Sequence, residues 1–321
     1  MGPWQIGRAS LQETRERASP RYMEMEKAHS LTTRDGVTIA YRIWRQGKQP
    51  RPLIVLLHGM ASNMTRWSEF LEYTTLKADW DIMRVDLRGH AESLYRGPLN
   101  AEIWSRDLLE VLDAEGYRQA LLVGHSLGAQ LAIRFAYLYP QRVSGLVLID
   151  PVLGKTSMGV ALWGRRIRYL IRVLVLFVRF LNYLGLHRRH IPKRDLWALD
   201  EQVRQTLLAK GKSKELVRAY SSPWPDLKQF PTANYLEEAI EMVRPLPPLS
   251  AINAPVLVVL STGVTYMDPA VTRQMITQFQ NADVVEIDAY HWPLTERPLE
   301  VRETIEQWCD SLNQRIASRP N

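Results

Sequence analysis

Ser126 stands between two glycines, in Gly124-His125-Ser126-Leu127-Gly128, where an apolar run ends and a helix-favouring one begins. A serine hydroxyl becomes a nucleophile only when a base takes its proton. The spacing offers the first half of that chemistry. Glycines two places before and after let a serine oxygen stand on a strained strand-to-helix turn, because a Cβ at either place would strike the neighbouring strand or helix. The helix that follows points its positive N-terminus toward negative charge developing on a substrate. With 17 glycines in 321 residues, chance flanks a given serine this way about 0.003 of the time, so the pattern needs partners before it means chemistry. A plain turn serine leaves the same trace.

The base is expected beyond the last strand, where Tyr290-His291-Trp292 follows Asp283-Val284-Val285-Glu286-Ile287-Asp288. Of the seven histidines, His58, His90 and His125 lie in turn motifs that favour structural hydrogen bonding. His29, His187 and His190 fall in the N-terminal lead or a basic stretch, which leaves His291. The acid that orients the imidazole is expected at Asp268, on the loop after Pro255–Thr262. Asp150, near the end of the expected strand 142–151, is the alternative, whereas Asp288 is too close to His291 along the chain. An oxyanion needs two backbone N–H donors, each worth about 3 kcal/mol of barrier. Leu127, after the serine, and Met60, after His58-Gly59, are the expected pair.

Such residues need a sheet to hold them. The runs 52–59, 81–90, 119–126, 142–151, 254–262 and 282–288 are apolar and of strand length, as strands buried on both faces are. Helical periodicity separates them at 101–116, 127–140, 269–280 and 298–314, and Arg34-Asp35-Gly36 turns a hairpin between 28 and 44. The alternation predicts an α/β protein with a mostly parallel central sheet and helices on both faces. The expected units are an N-terminal extension at 1–27, a core at 28–150 and 249–316, and an inserted helical cap at 151–248.

The net charge of +7 belongs mainly to the insertion, since residues 151–250 carry 17 Lys+Arg against 8 Asp+Glu. The run 165–186 is apolar but striped by Arg165, Arg168, Arg172 and Arg179 along one helical face. Three readings stay open: a helix packed on the core with a solvated arginine face, a peripheral membrane contact, or an arginine-lined route for acidic substrates. The arginines interrupt every window long enough to span a bilayer. No nucleic-acid motif, metal-ligand spacing or dinucleotide fingerprint occurs, so no nucleic acid, metal or cofactor is expected. The lone Cys309 forbids an internal disulfide, and the polar opening residues carry no apolar stretch of signal-peptide length. A cytoplasmic protein, with membrane association permitted, is the expectation.

Together, Leu56-Leu57-His58-Gly59-Met60, Arg84-Val85-Asp86-Leu87-Arg88-Gly89-His90, the Gly124–Gly128 turn and Tyr290-His291-Trp292-Pro293 resemble the α/β-hydrolase superfamily, from about Leu31 to Leu312. The resemblance implies the α/β-hydrolase fold with a cap and a Ser126–His291–Asp268 triad. It implies a serine hydrolase of carboxylic esters, a carboxylesterase or lipase acting through an acyl-enzyme on a small ester with a hydrophobic acyl group. Carbon–carbon, thioester or lactone hydrolysis would use the same triad, and a non-enzymatic receptor would keep only the pocket. Serine at the nucleophile position disfavours epoxide hydrolases and dehalogenases, whose nucleophile is an aspartate. The sequence departs from the family mildly at Ala91, where glycine is common, and more in that Asp268 stands five positions after Gly263 where the pattern has three, which keeps Asp150 open.

Overall fold

Short apolar runs become the strands of one eight-stranded sheet: β1 (Glu26–Thr32), β2 (Thr38–Trp44), β3 (Leu53–Leu57), β4 (Asp81–Val85), β5 (Ala120–His125), β6 (Val143–Ile149), β7 (Val256–Ser261) and β8 (Ala282–Ile287). The computed structural model describes residues 26–47, 49–153, 165–211, 213–263 and 269–317. The strand order is β1-β2-β4-β3-β5-β6-β7-β8. The pairings of β2 with β1 and β4 are antiparallel, and all others are parallel. β3, β4 and β5 are buried along their whole length because helices cover both faces. Alternate residues of β3 supply the two cores: Leu53, Val55 and Leu57 to one, Ile54 and Leu56 to the other.

The helices of the core are α1 (Ser68–Tyr73), α2 (Ala101–Ala114) and α3 (Leu127–Leu138). Among the described residues five more stand between β6 and β7: α4 (Arg165–Tyr183), α5 (Leu196–Thr206), α6 (Ser213–Tyr220), α7 (Pro223–Leu227) and α8 (Thr232–Met242). The chain closes with α9 (Pro269–Ile276), α10 (Pro293–Glu296) and α11 (Pro298–Ala317). Asn100 starts α2 by accepting the Ile103 N–H at 2.8 Å. Residues 1–25 of the expected N-terminal extension lie outside the described residues. Its last residues, Glu26 and Lys27, are already in β1, and the Glu26 carboxylate accepts from the buried Arg84 guanidinium at 2.6 Å.

The inserted helices are tied to the core by buried polar groups. Arg66 pairs with Asp200 of α5 and donates to Thr295 Oγ1 at 2.9 Å, while the Tyr220 hydroxyl of α6 donates to Asp200 at 2.8 Å. Asp200 thus joins two inserted helices to an arginine beside α1, and removing either partner would leave a buried charge.

In α4 the described arginines of the stripe part company, Arg179 inward and Arg172 outward. Its inner side, marked by Val175 at 5% exposure, packs on α8. Arg179 is turned inward, where it pairs with Glu237 of α8 and donates to the Arg96 carbonyl. Arg172 is exposed; the side chains of Arg165 and Arg168 lie outside the described ones. The face that meets solvent is apolar, with Leu176 at 67% and Phe180 at 57% exposure.

Candidate active site

Ser126 stands between β5 and α3 with φ 53° and ψ −111°, a left-handed conformation that a serine adopts only under constraint. The constraint is visible around it. The Ser126 N–H donates to the Ile149 carbonyl at 2.9 Å, and its own carbonyl accepts from Ala129 and Gln130, each at 3.1 Å. A Cβ on Gly124 would come within 2.4 Å of the Gly128 backbone, and one on Gly128 within 2.4 Å of the Leu57 carbonyl oxygen. Both glycines are therefore required by close backbone approach. Gly128→Ala is expected to cost at least the upper end of the roughly 1–3 kcal/mol typical of overpacking, since the obstacle is β3 backbone and not a movable side chain. A denaturant midpoint close to wild type would contradict this.

His291 follows β8 and precedes α10, and its Nε2 lies 2.9 Å from Ser126 Oγ. At that distance the hydroxyl can hand its proton to a neutral ring. Burial, and then the neighbouring His125, hold His291 well below the usual histidine range, which keeps the ring neutral and its nitrogen free of a proton at rest. His125 donates from Nε2 to the His291 carbonyl at 2.8 Å, and burial pushes it down to about 4. The Tyr290 N–H donates to Glu296 Oε1 at 3.0 Å, bracing the same loop from α10.

The loop after β3 passes directly over the serine: a Cβ on Gly59 would lie 3.5 Å from Ser126 Cβ. Met60 is the next residue. Leu127 opens α3, so its N–H belongs to the first turn, where no intrahelical acceptor exists. His58 fixes the loop, because its Nε2 accepts the Leu87 N–H at 3.1 Å and Nδ1 is left to donate to the Gly59 carbonyl at 2.9 Å. Burial, followed by His90, keeps that ring neutral.

The match to known proteins agrees with this arrangement: a family profile described as the alpha/beta hydrolase fold covers residues 52–298. The chain belongs to the alpha/beta hydrolase family. It is 30% identical over 157 residues to epoxide hydrolase 4 of Mus musculus, a stretch covering 46% of this chain and 43% of that protein. It is 24% identical over 268 residues to ethanol acetyltransferase 1 of Wickerhamomyces ciferrii, covering 80% of this chain and 67% of the relative. The chain thus spans less than half the length of several curated relatives it matches. Among solved structures, the enol-lactonase of Burkholderia xenovorans LB400 superposes with a TM-score of 0.65 at 19% identity, covering 88% of this chain and 100% of that one. A thermophilic esterase from Thermogutta terrifontis gives 0.63 at 21%, covering 89% and 99%.

In this alpha/beta hydrolase the two carboxylates expected from the sequence stand differently. Asp268 lies outside the described residues. Its loop leaves β7 beside the histidine loop, since the Gly263 N–H donates to the Ala289 carbonyl at 2.9 Å. Asp150 lies at the end of β6 with φ 43°, and its Oδ2 is 4.0 Å from His291 Nδ1, beyond hydrogen-bond reach. It accepts instead from the Ser261 N–H at 2.7 Å and the Ser261 hydroxyl at 2.5 Å. Burial raises it to about 7 in spite of those donors.

Three functional candidates were not read from the sequence. Glu238 of α8 is fully buried, accepts the Ala61 N–H at 3.0 Å through Oε2 and stands 3.1 Å from His90 Nε2 through Oε1. Burial alone would lower His90, but Glu238 reverses the sign and raises it. Ala61 has φ 50°, so an inserted helix pins a strained residue next to Met60. Asp86 joins the two loops beyond β3 and β4 by accepting from Met64 at 2.8 Å and Glu92 at 3.0 Å. Arg66 is the third, through its pairing with Asp200. No spacing in the sequence signals Glu238, whose partner lies 177 residues away.

Among the described residues no cluster of histidine, cysteine or acidic side chains could hold a metal ion.

Proposed function

We propose that this alpha/beta hydrolase cleaves carboxylic esters through an acyl-enzyme. One observation carries the reading: a serine forced onto a left-handed turn, with its hydroxyl 2.9 Å from a buried histidine nitrogen. Ser126 Oγ attacks the ester carbonyl while His291 Nε2 takes its proton. The N–H groups of Leu127 and Met60 receive the oxyanion. Collapse expels the alcohol, which leaves with the proton from His291, and a water molecule repeats the sequence on the acyl-serine. Asp268 orients the imidazole. The 4.0 Å approach of Asp150 to Nδ1 supports a second assignment, in which Asp150 has that role.

The reaction class follows from what the serine would form. An acylated serine is an ester that water can cleave, whereas a serine alkylated by an epoxide would be an ether that water leaves intact. Similarity to an epoxide hydrolase therefore supports the scaffold and not that chemistry. Lactone, thioester or carbon–carbon hydrolysis would use the same atoms, and the likeness of fold to an enol-lactonase keeps the first of these as a second reading.

In this proposal residues 151–248 act as a cap. The support is that α8 touches the loop of Met60 through Glu238, and α6 meets the histidine loop where the Tyr220 and Trp292 rings lie 5.3 Å apart. Preference among p-nitrophenyl esters is expected to rise with acyl length, by roughly 0.8 kcal/mol per buried methylene, until the pocket is full. Absence of turnover on the whole series, together with no fluorophosphonate labelling, would remove the esterase reading.

A further inference from the structure

The outer face of α4 is unlike an ordinary protein surface. Leu170, Val173, Leu176, Phe177, Phe180 and Tyr183 are all exposed, the last at 87%. On a helix they fall within one broad sector opposite the side that packs on α8. An apolar stripe of this extent on a folded protein marks a contact surface. Its chemical setting selects the partner. From Asp150 to Asp195 the chain carries ten lysines and arginines and no acidic residue between those two aspartates. Arg172 is exposed on α4 itself, and Arg189 is exposed just beyond its end.

We propose that α4 docks this protein onto an anionic lipid surface, lying in the headgroup region with its apolar face toward the acyl chains. The inference goes beyond the esterase reading and does not depend on it. A second copy of the chain fits the face poorly, because a symmetric pairing would set two cationic stretches against each other with no acid between them. A bilayer bearing phosphate headgroups neutralises that charge and accepts the apolar residues together. The helix lies on the membrane and does not cross it, since no described helix is long and apolar enough to span one. Aromatic side chains such as Phe177, Phe180 and Tyr183 suit the interfacial zone. The placement also has a geometric meaning: α8, directly beneath α4, is the helix whose Glu238 holds the loop of Met60. The candidate site would then sit behind two helix layers, α4 and α8, roughly 20 Å from the docking surface.

Vesicle flotation with the full chain tests this. Vesicles of phosphatidylcholine mixed with phosphatidylglycerol should carry the protein upward, and vesicles of phosphatidylcholine alone should not. F177S/F180S should lower the partition coefficient by about tenfold or more, with turnover of a soluble short-chain ester unchanged. R172Q/R189Q should weaken binding, more so at low salt. Flotation of S126A should equal wild type, so that failure of the esterase reading leaves this measurement intact. No flotation with the acidic vesicles, or equal flotation with both kinds, would overturn the proposal. So would light scattering that shows a dimer which F177S/F180S converts to monomer without any vesicle binding, an outcome that assigns the face to a second copy.

Discussion

Ser126→Ala is expected to lower kcat for a p-nitrophenyl ester by about 10⁴-fold or more and to abolish fluorophosphonate labelling. Alanine lacks the oxygen that attacks in the proposed mechanism, the hydroxyl that stands 2.9 Å from His291 Nε2. Stability should change little. The main-chain bonds from Ser126 to Ile149, Ala129 and Gln130 do not involve the side chain, and the left-handed turn is as strained for alanine as for serine. A thermal midpoint near wild type with catalysis gone is the signature of a lost nucleophile. A variant retaining most of its turnover would show that the turn is architecture only.

The second large effect separates the two acids. Asp268→Asn is expected to reduce kcat by about 10⁴-fold, because an amide holds the imidazole in the wrong tautomer. Asp150→Asn should cost far less, since its carboxyl is already engaged by Ser261. The pH profile gives an independent reading. Burial raises Asp150 to about 7, so if Asp150 were the orienting acid, activity would have to rise as it ionises through about pH 7. The same shift makes stability contributed by Asp150 greatest at low pH and lost as pH rises from its unfolded value through about 7, because the folded state holds the proton longer. An acid limb near pH 7 that disappears in D150N, with D268N nearly unaffected, would transfer the role to Asp150.

Much of the scaffold was legible because parallel strands covered on both faces must be apolar throughout. The runs at 52–59, 119–126 and 254–262 became β3, β5 and β7 for that reason. Ser126 and His291 could be singled out because glycine spacing and position after a strand are local properties of the chain. α1 escaped, since six residues of mixed polarity leave too few turns for a periodicity to emerge. The orientation of α4 escaped for a different reason. Periodicity says which residues share a face, not which face turns inward. Here Glu237 and a main-chain carbonyl accept Arg179, so one arginine of the stripe is turned in while apolar residues such as Leu176 and Phe180 are left out. Glu238 and Asp200 are charges whose partners arrive from the opposite end of the fold, and no window of sequence contains both halves.

The strand order has a consequence for how the chain is made. Everything that shapes the serine turn, from β1 to β6, is encoded before residue 150, while the histidine it faces comes 165 residues after the serine. At about 5–20 residues per second, a ribosome needs roughly ten to thirty seconds to cover that interval. Throughout it the turn exists without that histidine, so under the proposed mechanism a nascent chain is chemically silent. β6 meanwhile has no neighbour on its outer side, because β7 begins only at Val256, after the whole insertion has been synthesised. An apolar strand with open hydrogen-bonding groups invites pairing with other chains. The long insertion thus prolongs the interval in which the emerging protein depends on being kept apart from its copies.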